Sequence, residues 1–252
     1  REKGSFLINL IKSTISYTNK INFNKIIKSS KKNRKNGKLL EIGCGRGNLL
    51  KLAEKEGWIV TGIEPQKNKF AEAKNNINGK IYNSTFENIN FDQKFDIIVL
   101  WHVFEHLENL DSLFLNIKEI LAEDGEIFIS VPNIKSFQYR LFSRDWFHLC
   151  SPAHNYQFSK EGLFSFVKKF DMIGYKVNHF DIIVSMTGWF FSFQNLFIKP
   201  NNYFWHFIQK TTDLGNNNKI INFVKIVIFT PIFVLLTFIG SLIELLFGSR
   251  AN

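Results

Sequence analysis

Apolar positions follow two rhythms along this chain. Between residues 38 and 131, short apolar runs of strand length alternate with segments of helical period, predicting strands over 38–42, 58–63, 80–83, 95–100 and 125–131. Helices are expected over 47–56, 66–76 and 109–122. Several of the strand runs are almost continuously apolar, as expected of strands covered on both faces. Such alternation predicts an α/β fold, a Rossmann-like doubly wound and mostly parallel sheet with helices on both sides. Upstream, Phe6, Leu7, Leu10, Ile11, Ile15, Ile21, Ile26 and Ile27 recur at roughly helical spacing, which predicts one or two leading helices covering the edge where a ligand would sit. Downstream the period dissolves over 132–156 into an aromatic and polar stretch expected to fold over the substrate side. Ser159 is then placed to cap a helix running to about Phe170, and 175–184 reads as a further strand.

Candidate chemistry gathers where the first strand meets the first helix, in Glu41-Ile42-Gly43-Cys44-Gly45-Arg46-Gly47. Alternating glycines permit positive φ and let a ligand approach main chain with no Cβ in the way. Glycines at 43, 45 and 47, with Asn48 next, depart from G-x-G-x-x-G, and no Walker lysine follows. Glu41 beside this loop would repel a phosphate, whereas it suits a ligand carrying an ammonium and a sulfonium. A second carboxylate, Glu64, ends the next strand 21 residues past Gly43 and precedes Pro65. With two acceptor oxygens and no donor, it suits a cis diol. The alternative for Glu64 is a solvated strand-end carboxylate.

The run E-I-G-C-G-R-G resembles motif I of the class I methyltransferases that use S-adenosylmethionine. The resemblance extends in order through Glu64-Pro65, the strand Phe95-Asp96-Ile97-Ile98-Val99-Leu100 with the loop Trp101-His102-Val103-Phe104-Glu105-His106-Leu107, and the turn and strand from Asp124-Gly125 to Asn133. It covers about residues 36–185. It implies S-adenosylmethionine as cofactor, a cradle of Glu41, Gly43, Cys44, Gly45 and Gly47, and ribose hydroxyls on Glu64 beside Pro65. It also implies an adenine site near Thr85 and Phe86, and a methyl-transfer side lined by Trp101. Thr85 stands where many relatives carry an acidic residue. Cys44 also reads as a small packed side chain.

Methyl transfer from a sulfonium is an in-line displacement, so positioning is the main requirement. An alcohol acceptor would add a need for a base, for which His102, His106 and His154 are the candidates, with Glu105 as an orienting carboxylate. His106 could instead brace its loop. Two cysteines, Cys44 and Cys150, offer neither a disulfide framework nor metal-ligand spacing, so no metal is expected. No basic-then-apolar signal with a small-residue cleavage site opens the chain, which begins on Arg, and a reducing cytoplasm is the expected compartment.

Charge changes the picture at one end only. The net charge is +10, yet residues 1–38 hold eleven Lys or Arg against one Glu, while the rest balances at 21 of each sign. Lys28, Lys31, Lys32, Arg34, Lys35 and Lys38 read either as a solvated face or as an arm for anionic lipid, with nucleic acid the weakest partner. No N/D-P-P-Y/F signature of base methylation is present. Two uncharged windows follow the enzyme-like region, 182–198 and 226–243. The second would reach roughly 27 Å as a helix, against a hydrocarbon core of about 30 Å. Pro231 and Gly240 interrupt it, and Lys219, Lys225 and Arg250 flank it. Monotopic attachment, one transmembrane helix, or a core or oligomer-interface helix all fit, with a last sheet strand expected to begin at 249–252.

The expected organisation is therefore a basic helical segment over 1–36, a cofactor-binding domain over 37–185 and a hydrophobic, membrane-associating helical region over 186–252. The expected activity is O-methylation of a small molecule, sugar or lipid-linked glycan at the inner face of a membrane. A methyltransferase acting on quinone or polyprenyl substrates is the alternative within the class, and a non-catalytic membrane adaptor that retains the fold is the alternative outside it.

Overall fold

In this computed structural model the described residues are 21, 23, 24, 26, 37–172, 177, 181–203, 205, 206 and 219–247. Most of the leading helical segment, the basic cluster over 28–35, most of the expected strand over 175–184 and the strand expected at 249–252 lie outside them. The chain divides into two compact units, Arg1–Val131 and Pro132–Asn252.

In the first unit, β1 (Lys38–Ile42), β2 (Ile59–Ile63), β3 (Lys80–Tyr82), β4 (Phe95–Trp101) and β5 (Leu121–Ser130) alternate with α1 (Asn48–Lys55), α2 (Lys67–Asn76) and α3 (Leu110–Ile120). The strands pair in parallel in the order β3-β2-β1-β4-β5. Successive strand side chains point to opposite faces. Leu39, Ile97 and Val99 accordingly pack with Leu50 and Ala53 of α1, Val60 of β2, and Phe23 and Ile26 from the leading segment. Leu40, Ile98 and Leu100, one residue out of phase, are just as deeply buried. That double burial explains the continuous apolar runs. Helix α3 buries Leu110, Leu113, Phe114, Ile117 and Ile120, an i, i+3, i+4, i+7 stripe, and Asn109 caps it by accepting from the Ser112 amide at 3.2 Å.

Because the chain leaves β1 toward β2 on one side and later returns to β4 on the other, the crevice between the carboxyl ends of β1 and β4 is the sheet's topological switch point. Within this unit the expected elements hold to within a few residues, with one instructive departure. Strand β5 starts at Leu121, which pairs with Phe95, and the ladder resumes only at Glu126 opposite Ile97. The intervening residues bulge out of register, which the turn-like Asp124-Gly125 pair had suggested was a loop.

The second unit holds α4 (Phe137–Phe142), two single 3₁₀ turns over Ser143–Asp145 and Phe147–Leu149, α5 (Lys160–Lys168), α6 (Ile182–Phe197) and α7 (Lys219–Phe247). Ser136 and Ser159 cap α4 and α5 by accepting from Tyr139 and Gly162 amides, both at 3.1 Å. Residues 182–184, expected to end a strand, instead open α6, because the Asp181 carboxylate accepts from the Ile183 and Val184 amides at 3.0 and 3.2 Å. Side-chain capping of two otherwise unpaired amides outweighs the β-branched character of that run. Helices α6 and α7 pack antiparallel: Trp189 lies against Gly240, Phe193 stacks on Phe233, and Phe197 stacks on Phe229. Phe142, Trp146 and Trp189 form a second cluster.

Candidate functional site

At the switch point, β1 ends in a loop whose three glycines all have positive φ, +72° at Gly43, +57° at Gly45 and +74° at Gly47. Two of them show why glycine is needed. A Cβ on Gly43 would sit 2.4 Å from Cγ2 of Val103, so the loop after β4 presses directly on the loop after β1. A Cβ on Gly45 would meet nothing within 4 Å, so that position opens onto free space. The Gly43 and Cys44 amides both donate to the Ile63 carbonyl, at 2.8 and 2.9 Å, which folds the loop over the end of β2.

Glu64 fastens that arrangement. It is buried, which removes the solvated strand-end alternative, and its two oxygens accept from the Gly45 and Gln66 amides at 2.9 and 2.8 Å. Asn83 donates to the Glu64 and Pro65 carbonyls, tying the end of β3 to the same turn. Glu41, near the end of β1, is equally buried, and its Oε2 has no hydrogen-bond partner among the described residues. Burial, and then the charge of Glu64, push its carboxyl well above the ordinary range. The two carboxylates therefore share one neighbourhood, as the sequence required.

A cleft of about 200 Å³ opens here, lined by Glu41, Gly43, Cys44, Gly45, Trp101 and, in addition, Arg46, Asn48 and Leu49. The last three were not singled out from sequence, since the variable positions between glycines carry no signal of which way they point. Arg46 also pairs with Glu72 at 2.8 Å. An orphaned buried carboxylate oxygen beside open main chain is a site waiting for a cation and donors, and it fits the ammonium-bearing end of a sulfonium nucleoside. Burial and the charges of Glu41 and Glu64 raise the Cys44 thiol far above its usual range. We expect Cys44 to resist iodoacetamide at pH 8 in the folded protein and to react on unfolding, as read by peptide mass spectrometry; rapid labelling of native protein would contradict this burial.

The other expected site residues divide. Pro65 and Thr85 are exposed, and the Thr85 hydroxyl accepts from Asn88 at 3.0 Å, while Phe86 is buried and packs against Phe91. None of these three lines the cleft. His102, at φ 52°, follows Trp101; its Nδ1 lies 3.6 Å from Glu105 Oε1 and its Nε2 3.4 Å from Ser130 Oγ. Burial pushes the Glu105 carboxyl up, but the hydrogen bond and charge of His102 outweigh it and leave Glu105 below the ordinary range. His106 ends the 3₁₀ turn Phe104–His106 and is exposed. His154 belongs to the second unit, where its amide donates to the Cys150 carbonyl at 3.1 Å.

Comparison with known proteins follows the same lines. The profile of the methyltransferase-domain family matches residues 16–186. A ubiquinone biosynthesis O-methyltransferase of Pelagibacter ubique is 28% identical over 60% of this chain and 70% of its own length. One of the same name from Glaesserella parasuis is 33% identical over 41% of this chain and 49% of its own, so the chain spans only about half of that relative. Among solved structures, a methyltransferase of Thermotoga maritima described as a possible histamine N-methyltransferase overlays with a TM-score of 0.49 at 18% identity, over 64% of this chain and 75% of that one.

Proposed function

The chain belongs to the class I S-adenosylmethionine-dependent methyltransferases, and on that footing we propose that it methylates an oxygen of a small, apolar-tailed acceptor such as a lipid-linked glycan or a polyprenyl compound. The observation that carries the cofactor half is the unpartnered, buried Glu41 oxygen beside the open main chain at Gly45. Bound S-adenosylmethionine supplies an electrophilic methyl on a sulfonium. The glycine cradle would receive its amino-acid end and Glu41 would take the ammonium, while Glu64 holds the loop and would offer its remaining lone pairs to the ribose hydroxyls. Trp101 walls the cleft.

For the acceptor, the O-methyltransferase relatives named for ubiquinone biosynthesis favour a polyprenyl compound over a glycan, and the long apolar helix α7 accords with either. A non-catalytic adaptor is the poorer reading, because a decayed enzyme has no reason to keep a buried carboxylate oxygen without a partner among the described residues. His102 is the base for an alcohol acceptor, with Glu105 orienting its ring. Lipid extracts incubated with the full chain and isotopic methyl label identify the acceptor. With it in hand, His102→Asn should lower kcat roughly 10²–10⁴-fold and leave S-adenosylmethionine affinity intact. Unchanged kcat would remove the base, and no labelled product from any extract would remove the enzymatic reading.

A further inference from the structure

Helix α7 turns a long aliphatic face outward. Ile228, Ile232, Leu235, Ile239, Leu242 and Leu246 succeed one another at steps of three and four, and each is between 48% and 62% exposed. They form one continuous stripe about 27 Å long. The buried side mixes aromatic with polar and small residues: Phe233 lies against Phe193 of α6 and Gly240 against Trp189, and Asn222, Thr237 and Ser241 are buried as well. Glu244 accepts there from Gln138 Nε2, Ser185 Oγ and Trp189 Nε1 at 2.8, 2.6 and 3.0 Å. A helix packed on a water-soluble core turns charged and polar residues outward, and this exposed stripe carries none. Small and polar contacts between helices with aliphatic groups outside mark a medium that is itself hydrocarbon.

Charge identifies the kind of surface. The acidic residue of α7, Glu244, is turned inward to three donors, whereas Lys219 and Lys225 stand near its start and Arg250 follows its end in the sequence. Basic residues flank the apolar run on both sides in the sequence, the pattern that complements anionic headgroups. The apolar window Ile228–Leu246, of mean hydropathy 2.1, is only 22% buried within the protein. A simple span does not suit the packing. Alongside α7 runs α6, and against α6 lie exposed Arg144 and the Asp145–Lys199 ion pair, which a crossing orientation would carry into hydrocarbon.

We infer that the outer face of α7 is a lipid-binding surface that lays this helix along an anionic membrane, at the boundary between headgroups and acyl chains. It presents its aliphatic stripe to the lipid while the side that carries Glu244 stays packed against α6. The surface concerns where the enzyme works and rests on observations separate from those behind the methyl-transfer reading.

Flotation of the full chain with phosphatidylcholine vesicles, with and without about one third phosphatidylglycerol, tests it. The wild type should float with the anionic vesicles, at least tenfold more weakly with the neutral ones. Leu235→Gln/Ile239→Gln/Leu242→Gln should lose flotation at least tenfold. Leu115→Gln, the same exchange at an exposed site in α3 of the other unit, should float like the wild type. S-adenosylmethionine titration of each variant keeps the two readings apart, since failure to bind cofactor would sink the enzyme and leave the lipid result standing. A triple variant that floats like wild type, or a wild type that does not float, overturns the inference. So does a detergent-free wild-type dimer that the triple variant splits, because a second copy would then cover the stripe.

Discussion

Glu64→Ala should weaken S-adenosylmethionine binding by a hundredfold or more and destabilise the first unit at the same time. Both effects come from one carboxylate, which accepts the Gly45 and Gln66 amides at 2.9 and 2.8 Å and holds the glycine loop in left-handed backbone. Hydrogen bonds to a charged group are each worth roughly 1.5–3 kcal/mol, and an amide left buried without an acceptor adds its desolvation. A hundredfold in affinity corresponds to about 2.8 kcal/mol, within what a loosened loop and a lost diol acceptor remove together. Glu64→Gln keeps one carbonyl acceptor and should fall between wild type and Ala. Calorimetric titration beside thermal unfolding separates the two effects. A folded Ala variant that binds with wild-type affinity would show that the carboxylate braces the loop and has no part in the cofactor site.

Glu41→Gln should do the opposite to stability and the same to affinity. In the cofactor-free protein, burial first and the Glu64 charge second hold the Glu41 carboxyl well above its ordinary range. The unfolded chain gives up that proton above about pH 4.3. Glu41's stabilising contribution is therefore complete below that pH and declines as pH rises toward the raised folded value, because the folded state binds a proton that the unfolded state has lost. A neutral amide lacks this slope. The variant should match wild type near pH 4 and gain on it with rising pH, by an amount of order 1–3 kcal/mol, the usual cost of an unsatisfied buried group. Cofactor binding tells the rest. A cationic ligand beside Glu41 favours the ionised form, so binding expels a proton and wild-type affinity climbs with pH, whereas Glu41→Gln is weaker and flat. Titration in two buffers of different ionisation enthalpy counts that proton. Zero protons released, with a pH-independent wild-type affinity, would separate Glu41 from the ammonium.

How much of this was legible beforehand follows from the range of each interaction. Parallel strands sandwiched between helices advertise themselves as continuous apolar runs, and β1, β2 and β4 were placed within a residue. The glycine loop was legible because positive φ excludes most side chains locally, so Gly43, Gly45 and Gly47 carry their backbone geometry in their identity. Strand β5 and residues 182–184 were not, since a register shift and an Asp181 cap depend on which groups happen to be near one another in space. Thr85 and Phe86 followed from the family resemblance alone, and their own neighbours Asn88 and Phe91 occupy them here.

What the sequence by itself determined is the parallel sheet between helices and the pair of acidic residues flanking a glycine loop, because periodicity and main-chain sterics are local properties, whereas the strand order came from the structure. Only tertiary structure decided that Glu64 spends both oxygens on loop amides while Glu41 keeps one in reserve, and that α7 turns Glu244 inward. Hydrogen-bond partners and the facing of a uniformly apolar helix are set by contacts between distant residues, and those exist only once the chain has packed.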